Sequence, residues 1–264
     1  MTARITTGLY VPGDRPDRFD KAVATGAGMI ILDLEDAVSP SARGEALDAV
    51  TAWLVGRTSG GPVIQVRVNQ DADHEWEALR ATGAAIELRV PKVEHVSQLD
   101  RVAGVVDGLP ITALIESALG VENAAAVAAH PAVTRIALGE SDLASDLGTR
   151  DAAVLDHARV RLLFAARAAG LPAPMLSAYP DIRDLDGLRA DTERGRRLGW
   201  FGRSAVHPSQ LPVIEAVFAR TDDELDWARA VVAAVDGGGV STLASGEMVD
   251  PAMLGRARAI LGER

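Results

Sequence analysis

The chain has 264 residues, 48% of them hydrophobic, with a formal net charge of −10 and no cysteine. That charge argues against general nucleic-acid or anionic-membrane binding, and the missing cysteines exclude disulfides, thiolate metal centres and cysteine nucleophiles. No apolar stretch reaches the roughly 20 residues of a membrane span, and the first residues, Met1 to Gly8, lack a signal-peptide apolar core, so a cytoplasmic protein is expected.

In chain order, short apolar runs alternate with helix-like stretches. Strands are predicted at Thr6–Val11, Met29–Leu34, Val63–Val68, Ile86–Val90, Ile111–Ile115, Arg135–Leu138, Pro174–Ala178 and Phe201–Val206. Helices are predicted from Pro16, over Ser39–Val55, Glu75–Ala81, Val96–Val106 and Val121–Ala128, near Leu143, over Ala153–Ala169 and over Leu185–Leu198. The alternation specifies a parallel α/β fold, and eight strand candidates favour a closed (β/α)8 TIM barrel over an open sheet. A Gly-x-Gly-x-x-Gly turn, expected of many open sheets, is absent. The barrel is expected over 1–210. A C-terminal helical extension is expected over 211–264, with helices near Leu211–Phe218, Asp223–Val235 and after Pro251 and a glycine linker at 237–239. The last helix, tethered by that linker, has little core of its own and is expected to dock on the barrel or on a neighbouring subunit.

The predicted strands end in ionisable residues, and strand C-termini of a parallel barrel meet at one face. Arg15, Arg18 and Lys21 follow the first strand; Arg15, beside a Pro-Gly turn, suits a phosphate, whereas Arg18 suits a solvated helix face. Glu35 and Asp36 follow the second strand. They could bind metal-bound water or orient Lys92, or form an acidic pair at a helix entry. Arg67 ends the third strand on an apolar run. Unpaired burial of a guanidinium is costly, so it either stabilises oxyanion charge at the barrel mouth or pairs with Glu35 or Asp36. Lys92, after Val90-Pro91, repeats this signal more weakly. Glu116 and Asp142 follow neighbouring strands. Two carboxylates without His or Cys suit a hard cation, Mg²⁺ or Mn²⁺, and equally suit capping of the following helices. His207, before Pro208, is either a hydrogen-bonded turn residue or a base. Asp250, before Pro251, reads as a helix N-cap.

Taken together, eight segments resemble one family. They are Tyr10-Val-Pro-Gly-Asp-Arg-Pro-Asp-Arg-Phe19, Ile30-Ile-Leu-Asp-Leu-Glu-Asp-Ala-Val38, Val66-Arg-Val-Asn69, Val90-Pro-Lys-Val93, Leu114-Ile-Glu-Ser-Ala-Leu-Gly120, Leu138-Gly-Glu-Ser-Asp-Leu143, Ala205-Val-His-Pro-Ser-Gln210 and Gly246-Glu-Met-Val-Asp250. In this order the chain, from about Leu9 to Leu261, is similar to the citrate lyase beta-subunit-like CoA-ester lyases of the HpcH/HpaI aldolase superfamily, which include malyl-CoA and citramalyl-CoA lyases. The resemblance implies Mg²⁺ on Glu116 and Asp142 and an Arg67 that contacts the thioester oxygen. It implies Arg15 and Lys21 on the CoA ester, and a catalytic Asp250 carried onto a neighbouring subunit of a homotrimer or hexamer. The implied activity is cleavage of a 3-hydroxyacyl-CoA to an acyl-CoA and a keto acid. Malate synthase-like condensation with thioester hydrolysis, a CoA-free aldolase, and a citrate lyase subunit acting on a carrier-protein thioester are the alternatives. The chain departs from the usual pattern at Leu176-Ser177, at Arg203 in place of lysine, and after Val38, which bears on the acyl group accepted.

Overall fold

The apolar runs that begin at Met29, Val63 and Ile111 fold as strands. A computed structural model describes residues 5–57, 60–235 and 238–262. Seven strands form one sheet: β1 (Thr7–Pro12), β2 (Met29–Asp33), β3 (Val63–Arg67), β4 (Glu87–Val90), β5 (Ile111–Ile115), β6 (Val133–Leu138) and β7 (Arg203–Ala205). Their spatial order is β6-β5-β4-β3-β2-β1-β7, and every pairing is parallel. Every residue of β2 and β5 is buried, as a sheet covered on both faces requires.

The expected strand at Pro174–Ala178 is reduced to two isolated parallel bridges, Met175 with Ala137 and Leu176 with Arg203. Pro172 and Pro174 have no N–H to donate to a longer ladder. The predicted helix over Ser39–Val55 begins only at Arg43, because Pro40 sits in a preceding 3-10 turn, Pro40–Ala42. The stretch expected as one helix to Ala128 breaks into Ala118–Glu122 and Ala124–Ala128, the first capped by Ser117 Oγ accepting from the Gly120 N–H at 3.1 Å.

Register positions the site. Pro12 lies opposite Asp33, Asp33 opposite Arg67, Arg67 opposite Arg89 and Arg89 opposite Thr112. Neighbouring strands are about 4.8 Å apart, and residues in one row of a pleated sheet share a face. Asp33, Arg67 and Arg89 are thus side by side near the C-terminal ends of three adjacent strands.

The chain divides into two compact units, Met1–Phe218 and Ala219–Arg264. The helix Leu211–Phe218, assigned from sequence to the extension, belongs to the first unit: Leu211, Ile214 and Phe218 join its main core, which also holds Phe19, Trp76 and Trp200. The second unit has a small core of its own, which includes the last helix. Ala228, Val231 and Val235 of the helix Asp222–Val235 pack with Val249 and with Ala257 of the helix Leu254–Leu261. Two short antiparallel strands, β8 (Ser241–Thr242) and β9 (Met248–Val249), join them. Of the expected linker, Gly237 lies outside the described residues, while Gly238 and Gly239 take φ values of 78° and 95° that glycine tolerates without strain. Among the described residues no helix is long and apolar enough to cross a membrane.

Candidate active site

The strand-end charges converge on Arg67. Its Nε and Nη2 donate to the two carboxylate oxygens of Asp33 at 2.7 and 2.5 Å, and Nη1 donates to Asp36 Oδ2 at 2.9 Å. Glu35 Oε2 lies 3.1 Å from Nη1 but, though buried, makes no hydrogen bond. Asp33 is itself fixed by the backbone N–H groups of Glu35 (3.0 Å) and Ala37 (3.2 Å). Burial pulls the Arg67 pKa down, but the Asp33 hydrogen bonds and the surrounding negative charge raise it above its ordinary value. Three of its five N–H groups are engaged, so two remain for a ligand.

Lys92 and Glu116 extend the cluster. Lys92 Nζ donates to Glu35 Oε1 at 2.7 Å, which raises the lysine pKa. The backbone of Lys92 is left-handed (φ 53°), an uncommon conformation for a side-chain-bearing residue, and its N–H donates to Glu116 Oε1 at 2.7 Å. Glu116 is 5% exposed. Burial and the charges of Glu35 and Asp142 push its carboxyl up to about 8, against the Lys92 N–H and Arg67. Burial likewise raises Glu35, opposed by Lys92 and Arg67. Gly139 makes room for Glu116, since a Cβ at 139 would stand 2.7 Å from the Glu116 Cβ and run into its carboxylate.

Asp33, Asp36, Arg67, Glu116 and Asp142 line one cavity of about 380 Å³, a size that suits a small-molecule site. Tyr10, Arg89, Leu114, Met175, Ser177 and Ser204 also line it.

The remaining sequence candidates sit elsewhere or in other roles. Arg15 makes a two-point pair with Asp17 (3.0 and 3.2 Å), and Lys21 reaches the same carboxylate at 4.0 Å; both are exposed. His207 caps the 3-10 turn Pro208–Gln210: its Nδ1 accepts from the Ser209 N–H at 3.2 Å, and Gln210 Oε1 accepts from the His207 N–H at 3.4 Å. Asp250 caps the turn Pro251–Met253 by accepting from the Ala252 N–H at 2.9 Å.

Residues 6–208 match the HpcH/HpaI aldolase/citrate lyase family. The chain belongs to that family. It is 37% identical to a (3S)-malyl-CoA thioesterase of Cereibacter sphaeroides, over 86% of this chain and 82% of that protein. It is 32% identical to citrate lyase subunit beta of Leuconostoc mesenteroides subsp. cremoris, over 97% and 91% of the two chains. Its fold superposes with a TM-score of 0.82 on CitE of Mycobacterium tuberculosis solved in complex with magnesium, acetoacetate and coenzyme A, at 30% identity over 99% and 98% of the chains.

As a member of this family the chain has to be tested for a cation site. Among the described residues no three His, Cys, Asp or Glu side chains cluster as a closed metal cage. Glu116 and Asp142 nonetheless fit Mg²⁺. They are oxygen ligands on one cavity, mutual repulsion among Glu116, Glu35 and Asp142 would be relieved by a cation, and Mg²⁺ habitually takes one or two carboxylates and fills its shell with water and substrate oxygens.

Two residues of the cavity carry little signal in the sequence. Asp33 lies inside an apolar run, yet it holds Arg67 by two hydrogen bonds. Arg89 was passed over on β4, although the argument applied to Arg67, that a guanidinium in an apolar strand needs a partner, applies to it equally. Arg89 Nε donates to Gln65 Oε1 at 2.9 Å and Nη1 donates to the Tyr10 hydroxyl at 3.1 Å. The Tyr10 ring centroid lies 5.2 Å from the Arg67 guanidinium carbon and 5.6 Å from that of Arg89.

Proposed function

We propose that this protein is a Mg²⁺-dependent carbon–carbon lyase that cleaves a 3-hydroxyacyl-CoA thioester of the malyl-, citramalyl-, citryl- or hydroxymethylglutaryl-CoA type. The observation that carries the reading is the arrangement of Arg67, anchored by Asp33, on the same cavity as the paired carboxylates Glu116 and Asp142. Glu116 and Asp142 hold Mg²⁺, which when bound supplies Lewis acidity at the substrate oxygens. Arg67 turns its two uncommitted N–H groups to the thioester oxygen and stabilises the negative charge that develops there as the carbon–carbon bond breaks. Asp33 and Asp36 keep the guanidinium in one plane, so little reorganisation accompanies that charge development. Glu35 takes the hydroxyl proton of the substrate, a role supported by a carboxylate oxygen free of hydrogen bonds and by Lys92 on the other. Arg15 and Lys21 hold the CoA moiety once their shared Asp17 yields, with His207 at the same rim. Asp250, supplied by the C-terminal unit of a second copy in a trimer or hexamer, protonates the enolate carbon.

The fold supports this placement. The Phe201 N–H donates to Pro174 O (3.1 Å), Leu176 N–H to Gly202 O (3.0 Å) and Ser204 N–H to Leu176 O (2.9 Å), and Met175 bridges Ala137. We read 174–178 as the eighth strand of a closed (β/α)8 barrel, with the site at its C-terminal face, where barrel enzymes place their chemistry.

A second reading, hydrolysis of the thioester, is favoured by the (3S)-malyl-CoA thioesterase relative. Incubation with Mg²⁺ and the four CoA esters, followed by mass spectrometry with an EDTA control, separates the two. Metal-dependent release of an acyl-CoA and a keto acid is the expected result. Release of free CoA from an otherwise intact hydroxy acid would make it a thioesterase, and no turnover of any ester would reject both.

A further inference from the structure

Arg89 carries a charge that the protein does not neutralise. It is 4% exposed, and an arginine side chain stays protonated at any accessible pH. Its neighbour across the sheet, Arg67, is surrounded by Asp33, Glu35 and Asp36. Arg89 by contrast has only neutral partners, Gln65 and the Tyr10 hydroxyl. Among the described residues no carboxylate forms an ion pair with it. Glu87, two residues earlier on the same strand, is taken by Gln65 at 2.7 Å and by Arg135 at 3.5 Å. Two hydrogen bonds leave three N–H groups of Arg89 uncommitted, and the residue lines the cavity.

An uncompensated buried guanidinium is costly unless an anion arrives to meet it. The cavity decides where that anion comes from. Arg89 lies opposite Thr112, four positions before Glu116 on the neighbouring strand, so about 13 Å of strand rise separates the Arg89 backbone from that of Glu116. The Arg89 and Glu116 side chains close part of that distance, and both line the cavity. An acid whose first carboxylate is held at the rim reaches Arg89 with a second one. The planar fork of arginine matches a carboxylate in two-point fashion.

We propose that Arg89 is a specificity-determining residue that pairs with the second carboxylate of a keto diacid, so that the acyl group cleaved carries two free carboxylates beside its thioester. The inference rests on the lyase reading above and narrows its substrate class. The test is calorimetric titration of the full-length, Mg²⁺-saturated protein with pyruvate and with freshly dissolved oxaloacetate, which differ by one carboxylate. Oxaloacetate is expected to bind tighter by about tenfold or more, as a charge-assisted hydrogen bond warrants, and Arg89→Met is expected to bring that ratio below about threefold. Arg89→Lys, which keeps the charge and loses the fork, is expected to fall between the two. A wild-type ratio near one overturns the proposal without any variant, as does an Arg89→Met protein that keeps the full preference. Failure of both acids to bind would instead overturn the lyase reading on which it stands, since equal binding of both rejects only the role of Arg89.

Discussion

Two buried arginine networks sit in the same unit of this protein and behave in opposite ways. One is the Arg67 cluster at the strand ends. The other is centred on Arg159, whose guanidinium meets Glu140 at 2.8 and 2.9 Å, Asp191 at 3.0 Å and Asp156 at 3.3 Å, while Arg194 joins Asp156 at 2.6 Å and Arg203 pairs with Asp191. Around Arg159 attraction dominates. Burial disfavours an ionised Asp191, but Arg203 and Arg159 outweigh it and hold the carboxyl below its ordinary value. At Glu116 burial and like charge add, and the carboxyl is pushed up to about 8. Both networks are made of the same residue types. The first contains charges left unmatched and lines a cavity of about 380 Å³; the second is largely matched within itself. Unmatched, partly buried charge on a cavity is the mark of a site that awaits a ligand, whereas matched charge between elements fixes them.

Breaking the second network should cost the most. Arg159→Leu strands Glu140 and leaves Asp191 with Arg203 alone, and removing one partner of a buried ion pair costs about 3–5 kcal/mol, to be read from urea unfolding. A loss below about 1 kcal/mol, the value of an exposed pair, would mean that this network does not hold the fold.

Arg67→Lys tests the first network. Lysine keeps the charge but not the fork, and turnover of the competent CoA ester should fall by about 10²–10³-fold, the usual loss for one oxyanion donor, with the unfolding midpoint little moved. Near-normal turnover would remove Arg67 from charge stabilisation.

The two carboxyls should also give stability profiles of opposite sign. Glu116 is raised in the folded protein, so its contribution is present below its ordinary value and is lost as pH rises through about 8. Asp191 is lowered, so its contribution is present above its ordinary value and is lost as pH falls through the depressed one. In EDTA the melting temperature should therefore decline on the alkaline side, Glu116→Gln should flatten that limb alone, and Mg²⁺ should restore it. Asp191→Asn should flatten only the acid limb. An alkaline limb indifferent to both Mg²⁺ and Glu116→Gln would separate Glu116 from the metal.

The smallest effect is expected at His207. Removing its cap by His207→Ala should cost about 1 kcal/mol of stability in a denaturant midpoint, as a lost helix cap does. An accompanying rise in KM would give this residue a substrate contact as well.

The fold was legible because alternation is local. The apolar runs at Met29, Val63 and Ile111 begin their strands where the pattern predicts, and the helix Val96–Val106 matches its expected bounds. The segment 174–178 is less legible, since Pro174 within it and Pro172 before it leave its backbone ladder as bridges, and the unit that Leu211–Phe218 joins is not legible, because which core an amphipathic helix joins is not written in its own periodicity. In the site, Arg67, Glu35, Asp36, Lys92 and Glu116 were legible as ionisable residues ending apolar runs. Asp33 is hidden inside such a run, and Arg89 stands within its strand rather than at its end.

By itself the sequence determined the strand and helix alternation, the ionisable character of the strand ends and the family, because these depend on residue type and spacing along the chain. Only the tertiary structure decided which charges are matched. Register sets Arg67 between Asp33 and Arg89, gives Arg67 three carboxylates and leaves Arg89 with none. The energy of a buried charge depends on what surrounds it in space, and pairing across strands some thirty residues apart fixes those surroundings.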